Sequence, residues 1–148
     1  MSCVCLPFLR AILAVIVGLI IGGIINSALE WTGSVLIAPP AGAAIITTEG
    51  MRASVHLMQL QHFIFPFLAD AIASLAGAFV AAKIAGRYHL MAAMNVAILF
   101  LAMAIHIYSA IPFPVWFMAI DFLIAYIPMA WIGDRLGRPL ARLDPEFE

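Results

Sequence analysis

Six residues of this chain have polar or ionisable side chains and lie within or next to apolar stretches of the sequence. They are Asn26, Glu30, His62, Asp70, His106 and Asp121. Asp70, His106 and Asp121 interrupt long apolar stretches, where an ionisable group is costly and needs a partner. Asn26 and Glu30 lie four residues apart, so a helix would present them on one face.

If these six groups converge, the site has carboxylates, imidazoles and an amide, which suit several kinds of chemistry. Carboxylate and imidazole ligands could hold a divalent metal such as zinc, manganese or iron. Carboxylates surrounded by hydrocarbon could carry protons. A polar vestibule could instead bind a small cationic or hydrogen-bonding ligand.

Each of these residues also has a purely structural interpretation. A buried Asp–His or Asp–Asn pair can tie two membrane helices together, at about 1 kcal/mol. His106 could be a hydrogen-bonded core histidine, and Glu30 and His62 could be wetted interface residues. The residue types alone therefore do not separate binding from packing.

Motifs for the common cofactors and hydrolases are absent from the sequence. It has no phosphate-binding glycine loop, H-E-x-x-H or G-x-S-x-G, no flavin or nucleotide motif, and no pair of histidines placed for haem. Cys3 and Cys5 read as free cytoplasmic thiols, because a disulfide across one residue would be strained. The cofactor therefore stays unknown, with a divalent metal as one hypothesis.

The composition places these polar groups in a membrane protein. Hydrophobic residues make up 66% of the chain and charged residues 10%, against about 45–50% and 25% in soluble domains. So few charges could not cover the surface of a water-soluble fold, and lipid is the expected partner. A net charge of -1 gives no attraction to nucleic acid.

Four apolar stretches are long enough to cross a bilayer as helices, at residues 6–30, 61–83, 90–111 and 115–132. The sequence thus predicts an all-α, four-helix transmembrane bundle in a single domain over residues 1–148. Residues 31–60 form the long connection, in which Pro39 and Pro40 exclude regular helix. Thr48 is placed to cap a short interfacial helix beginning at Glu49.

The basic residues predict the orientation. With the N-terminus inside, six of the seven lie on the cytoplasmic side and only Arg52 lies outside. The six are Arg10, Lys83, Arg87, Arg135, Arg138 and Arg142. This bias predicts an N-in, C-in chain, most simply in a bacterial inner membrane.

Helical rise predicts that the polar groups share the outer half of the bundle. Counted from the outer ends, Asp70 lies roughly 13 Å deep, Asp121 roughly 9 Å, His106 roughly 7 Å and Asn26 roughly 6 Å. Glu30 and His62 fall near the outer boundary. The rotation of each helix is open, so depth alone does not establish that the groups face each other.

Rows of small residues predict close helix contacts. Gly18 and Gly22 recur at four-residue spacing in the first stretch, as do Ala73, Gly77 and Ala81 in the second. Such rows serve packing within one chain, or contacts in a homo-oligomer or a larger membrane complex. Pro66 and Pro128 within the second and fourth stretches predict bends.

Three functional hypotheses follow from these patterns, with Asp70 and Asp121 as the central groups. The leading one is a small multi-pass protein that binds or conducts an ion or a small ligand, as a transporter or channel subunit does. An accessory subunit or assembly factor of a membrane complex is the second. A membrane-embedded enzyme acting on a lipid-soluble substrate, with the carboxylates as acid and base or as metal ligands, is the third and the less favoured one.

Overall fold

A computed structural model describes the backbone of residues 2–141 and the side chains of residues 6–138, and within that range every regular element is helical. The α-helices are α1 (Ser2–Leu36), α2 (Thr48–Ser54), α3 (Ile64–Ala85), α4 (His89–Ala110), α5 (Val115–Ile124) and α6 (Ile127–Ala141). The side chains of Cys3 and Cys5, and Arg142, lie outside the described residues.

Three helical segments are long and apolar enough to cross a membrane, namely Leu6–Leu36, Leu60–Ala110 and Val115–Arg138. The second of these has 51 residues and contains both α3 and α4, each of 22 residues. A 3₁₀ turn at Gly86–Tyr88 joins the two helices. Gly86 begins this turn with φ of 61°, a conformation that glycine adopts without strain.

Helix α3 is the centre of the packing, with α1 against one side and α6 against another. Gly18 and Gly77 bring α1 and α3 together so closely that a Cβ on Gly18 would lie 2.6 Å from the Gly77 carbonyl oxygen. On α6, a Cβ on Gly137 would lie 2.9 Å from the Phe79 carbonyl oxygen. The small-residue rows are therefore occupied by contacts within the chain, where lipid leaves close packing as the main attraction between helices.

The last apolar segment is interrupted at Ala125 and Tyr126, between α5 and α6. Pro128 follows the interruption and has no N–H to donate to the carbonyl group four residues earlier. Ala125 N–H still bonds the Asp121 carbonyl at 2.8 Å, and Ala130 N–H bonds the Tyr126 carbonyl at 2.9 Å. The bend predicted from Pro128 is thus a local break, flanked by Asp121.

Two boundaries differ from the sequence prediction by six residues or more. Helix α1 continues to Leu36, six residues beyond the predicted end at residue 30. Its segment Leu6–Leu36 has 31 residues and is about 46 Å long, against about 30 Å of hydrocarbon. The predicted end was too early because the apolar run of the sequence ends before the helix does. The final helical segment also passes the predicted end at residue 132, since α6 continues to Ala141.

The connection between α1 and α3 is ordered by local hydrogen bonds. Thr47, one residue before the predicted cap, accepts a 3.0 Å bond from Gly50 N–H at the start of α2. Thr47 has the extended backbone that a capping residue needs, whereas Thr48 is already helical. Ser54 Oγ accepts a 3.0 Å bond from Ala44 N–H, which fixes α2 against the preceding loop.

A charged cluster joins α4 to α6 at the end of the bundle that holds the α3–α4 turn. Asp134 is fully buried and contacts His89 Nδ1 at 2.5 Å. Its other oxygen accepts bonds from Arg138 Nε at 3.0 Å and Nη2 at 2.6 Å. Arg10 approaches the same end, where a Cβ on Gly86 would lie 3.7 Å from its guanidinium.

Candidate functional site

A cavity of about 560 Å³ lies among α1, α3 and α4 and beneath the α1–α3 connection. Its volume falls within the range that small-molecule sites occupy in other proteins, about 300–1,000 Å³. Four of the six sequence-predicted residues line it, namely Asn26, Glu30, His62 and Asp70. The two helices that contact each other most extensively, α1 and α3, thus provide its acidic side.

Asp70 is half-buried in the cavity and is held by its neighbours on α1. Asn26 Nδ2 donates a 2.8 Å hydrogen bond to Asp70 Oδ1. Glu30, one turn along the same face of α1, lines the same cavity as Asp70. One carboxylate oxygen is therefore oriented by an amide, and a second carboxylate stands nearby.

Asp121 lies behind this cavity and does not line it. Its side chain is fully buried, and Oδ2 accepts hydrogen bonds from Tyr108 Oη at 2.8 Å and Tyr126 Oη at 2.9 Å. Tyr108 itself lines the cavity, so its hydroxyl group joins Asp121 to the wall that Asp70 also lines. The two aspartates are therefore neighbours, one at the cavity and one in the core behind it.

Aromatic rings form much of the remaining wall. Phe63 lies 4.9 Å from Phe117, and Tyr108 lies 5.0 Å from Phe113, measured between ring centroids. The cavity wall also includes Trp31, Phe65 and Phe100. Such rings offer apolar area together with negative faces that attract cations.

The α1–α3 connection covers the cavity from outside the helices. Met51 of α2 and Met58 beyond it both reach the cavity. His62 bridges the two ends of the connection, with Nε2 3.2 Å from the Ala38 carbonyl oxygen and Nδ1 3.0 Å from Gln59 N. His62 therefore orders the α1–α3 connection, which is the cover of the cavity, through hydrogen bonds with backbone groups.

His106 is placed away from the other predicted residues. Its side chain is exposed on α4 and does not line the cavity. The described contacts of this residue include a 2.6 Å hydrogen bond from Ser109 Oγ to its carbonyl oxygen. The side chain two residues later, that of Tyr108, takes the inward position on α4.

Sequence reasoning missed the two tyrosines and the Asp134 cluster. A tyrosine hydroxyl inside an apolar segment needs an acceptor, and this rule could have linked Tyr108 and Tyr126 to Asp121. Asp134 and Arg138 have the four-residue spacing of a helical ion pair, which also was available from the sequence. The predicted end of the last span at residue 132 left that pair out.

The charge of the cavity is one-sided. Its described lining holds the carboxylates of Glu30 and Asp70 but neither lysine nor arginine. Among the residues that the structure describes, no three histidine, cysteine or acidic side chains come together as metal ligands would. The arrangement therefore fits a cationic group with an apolar body better than an anion, and residues 6–138 offer no ready-made metal centre.

Comparison with known protein families, with curated proteins and with solved structures gives no match to this chain.

Proposed function

We propose that this chain is a small multi-pass membrane protein that binds a small organic cation in the cavity between α1, α3 and α4. The observation that carries the proposal is the combination of two carboxylates with aromatic walls in one cavity whose described lining has neither lysine nor arginine. A charged contact of this kind, together with cation–π attraction, favours a cation over a neutral molecule of the same shape.

The proposal includes four membrane crossings. They are α1, α3, α4 and the broken pair α5–α6, because α3 and α4 with 22 residues each are about 33 Å long. The six-to-one distribution of basic residues supports a cytoplasmic N-terminus and C-terminus. The cavity then lies toward the outer side, beneath the α1–α3 connection, and a bacterial inner membrane is the simplest location.

Asp70 is the proposed central contact for the cation. Asn26 orients one of its oxygens and Glu30 adds a second negative group. Asp121 acts from behind through Tyr108, whose ring also lines the cavity. His62 holds the cover in place, and His106 has no part in the site.

The test is a binding titration with tetraphenylphosphonium, a lipophilic cation, and with the neutral triphenylphosphine oxide, on purified protein in lipid nanodiscs. We expect the cation to bind more tightly than the neutral compound. Asp70→Asn keeps the shape of the side chain and removes its charge, so it should weaken cation binding by about tenfold or more. His106→Gln is the matched control and should bind as the unchanged protein does.

The proposal fails if the neutral compound binds as tightly as the cation. It also fails if Asp70→Asn binds the cation with the affinity of the His106→Gln control. A folded Asp70→Asn protein is verified by its thermal unfolding curve, so that lost binding is not mistaken for lost structure.

A further inference from the structure

The environment of Asp121 contains a feature that ligand binding at Asp70 does not explain. Both tyrosine hydroxyls donate to Oδ2, while Oδ1 is buried and accepts no hydrogen bond from the described residues. An ionised carboxylate with one bare oxygen in an apolar core is far more costly than a neutral carboxylic acid. The arrangement of the donors thus favours a neutral Asp121.

The charges that surround the two aspartates strengthen this argument. Asp121 is faced by Tyr108 from α4, by Tyr126 ahead of α6 and by Asp70 from α3. Asp70 is faced by Asn26 and Glu30 from α1 and by Tyr126. These partners are hydroxyls, an amide and carboxyls, so none of them supplies the positive charge that two neighbouring carboxylates would need.

We infer that Asp70 and Asp121 share an exchangeable proton, and that a cation entering the cavity displaces it. The inference rests on the proposed function for its ligand and adds a coupled ion to it. Without ligand, the proton leaves the pair with one negative charge instead of two. With a cation beside Asp70, both carboxyls are ionised, the proton has moved to water, and the total charge of the site is unchanged.

The structure offers a short way out for the proton. Asp70 lines the cavity directly, so the proton leaves from Asp70, while Tyr108, whose hydroxyl donates to Asp121 Oδ2 at 2.8 Å, places Asp121 beside the same cavity. Because both carboxyls border the same cavity wall, one directly and one through Tyr108, we assign the proton to the pair rather than to either residue. Coupling of this kind lets the entry of a cation be linked to the exit of a proton.

A first measurement needs no ligand. Infrared spectra of the protein in lipid at neutral pH should contain the carbonyl band of a protonated carboxylic acid. Asp121→Asn should remove or shift this band, since it breaks the pair. Asp134→Asn removes the other fully buried aspartate, which pairs with Arg138 instead, and should leave the band in place.

A second measurement uses calorimetric titration with tetraphenylphosphonium in buffers of different ionisation enthalpy. Binding to the unchanged protein should release protons, so the observed heat should depend on the buffer. Affinity should rise by up to about tenfold for each pH unit while proton and cation compete. In Asp121→Asn, the buffer dependence and the pH dependence should both decrease sharply.

The outcomes separate this inference from the proposed function. If the cation does not bind, the proposed function fails, and the infrared band alone decides whether the pair holds a proton. If the cation binds with heat that is independent of the buffer, the coupling is wrong and the binding site stands. A band that persists unchanged in Asp121→Asn and in Asp70→Asn overturns the shared proton.

Discussion

The side chains of Asn26 and Asp70 join α1 to α3 at the acidic side of the cavity through a 2.8 Å hydrogen bond. The bond crosses between helices that also approach through Gly18 and Gly77, so it fixes the rotation of α1 relative to α3. Asp70 also lines the cavity. The same contact thus serves both packing and the proposed site.

Replacing Asn26 should therefore affect stability and binding together. Asn26→Leu removes the donor and leaves a half-buried carboxylate oxygen without its partner, which should lower the free energy of unfolding by about 1 kcal/mol and weaken tetraphenylphosphonium binding. Asn95→Leu is the matched control, because Asn95 is exposed and donates to the Met91 carbonyl of its own helix. Equal melting temperatures for the two variants would contradict this role of Asn26.

The glycine contact between α1 and α3 predicts a large loss of stability when one methyl group is added. In Gly18→Ala, the new Cβ would clash with the Gly77 carbonyl oxygen and with a Val96 methyl at 3.0 Å. The helices must separate, which should cost about 1–3 kcal/mol. Gly23→Ala on the same helix meets no atom within 4 Å and should be tolerated. Thermal unfolding of both variants decides, and an unaffected Gly18→Ala would refute the tight crossing.

The two hydroxyl groups that donate to Asp121 predict a loss of unfolding free energy that grows with the number of donors removed. Tyr108→Phe and Tyr126→Phe each remove one donor to Oδ2 and should cost about 1 kcal/mol. The double variant should lose more than the sum, because Asp121 then lacks both donors. Tyr88→Phe is the control, since its hydroxyl bonds Arg87 at the exposed α3–α4 turn. If the double variant loses only the sum of the two single losses in unfolding free energy, the two hydroxyl groups do not act together on Asp121.

The Asp134 cluster is expected to be structural. Asp134→Ala removes the acceptor for His89 and Arg138, whose side chains are about 30% exposed and can turn to water. The loss should therefore be moderate, about 1–2 kcal/mol. Arg135→Ala, which alters a neighbouring arginine stacked on Trp131, is the control. Cation binding should be retained in both variants, and its loss in Asp134→Ala would show that this end of the bundle reaches the cavity.

The proposed orientation can be tested with single cysteines in a background that carries Cys3→Ser and Cys5→Ser. Ile46→Cys lies in the outer connection at a fully exposed position, and Leu136→Cys lies near the opposite end of the bundle. A membrane-impermeant maleimide added to intact cells should label the first cysteine and not the second. Labelling of the second after permeabilisation shows that it is reactive, and the reverse pattern in intact cells would invert the topology.

The depth of each polar residue along its helix could be predicted from the sequence, because the rise per helical residue is fixed. The apolar stretches located the helical segments to within several residues, and Asn26, Glu30, His62 and Asp70 do meet at one cavity. The boundaries were less accurate where hydropathy and helical hydrogen bonding end at different residues. Helix α1 runs to Leu36 for this reason, although strongly polar residues begin at Asn26.

The rotation of each helix about its axis could not be predicted from the sequence, since the lipid-facing and core-facing positions of a membrane helix are both apolar. His106 and Tyr108 illustrate this point. They are two residues apart, about 200° around the helix, so only one of them can face the cavity, and it is Tyr108. The sequence by itself determined that charged groups are embedded in apolar helices and therefore need partners. Only the packing of α1, α4 and α6 around α3 decided which partners they have, because side-chain contacts depend on how the helices are rotated against each other.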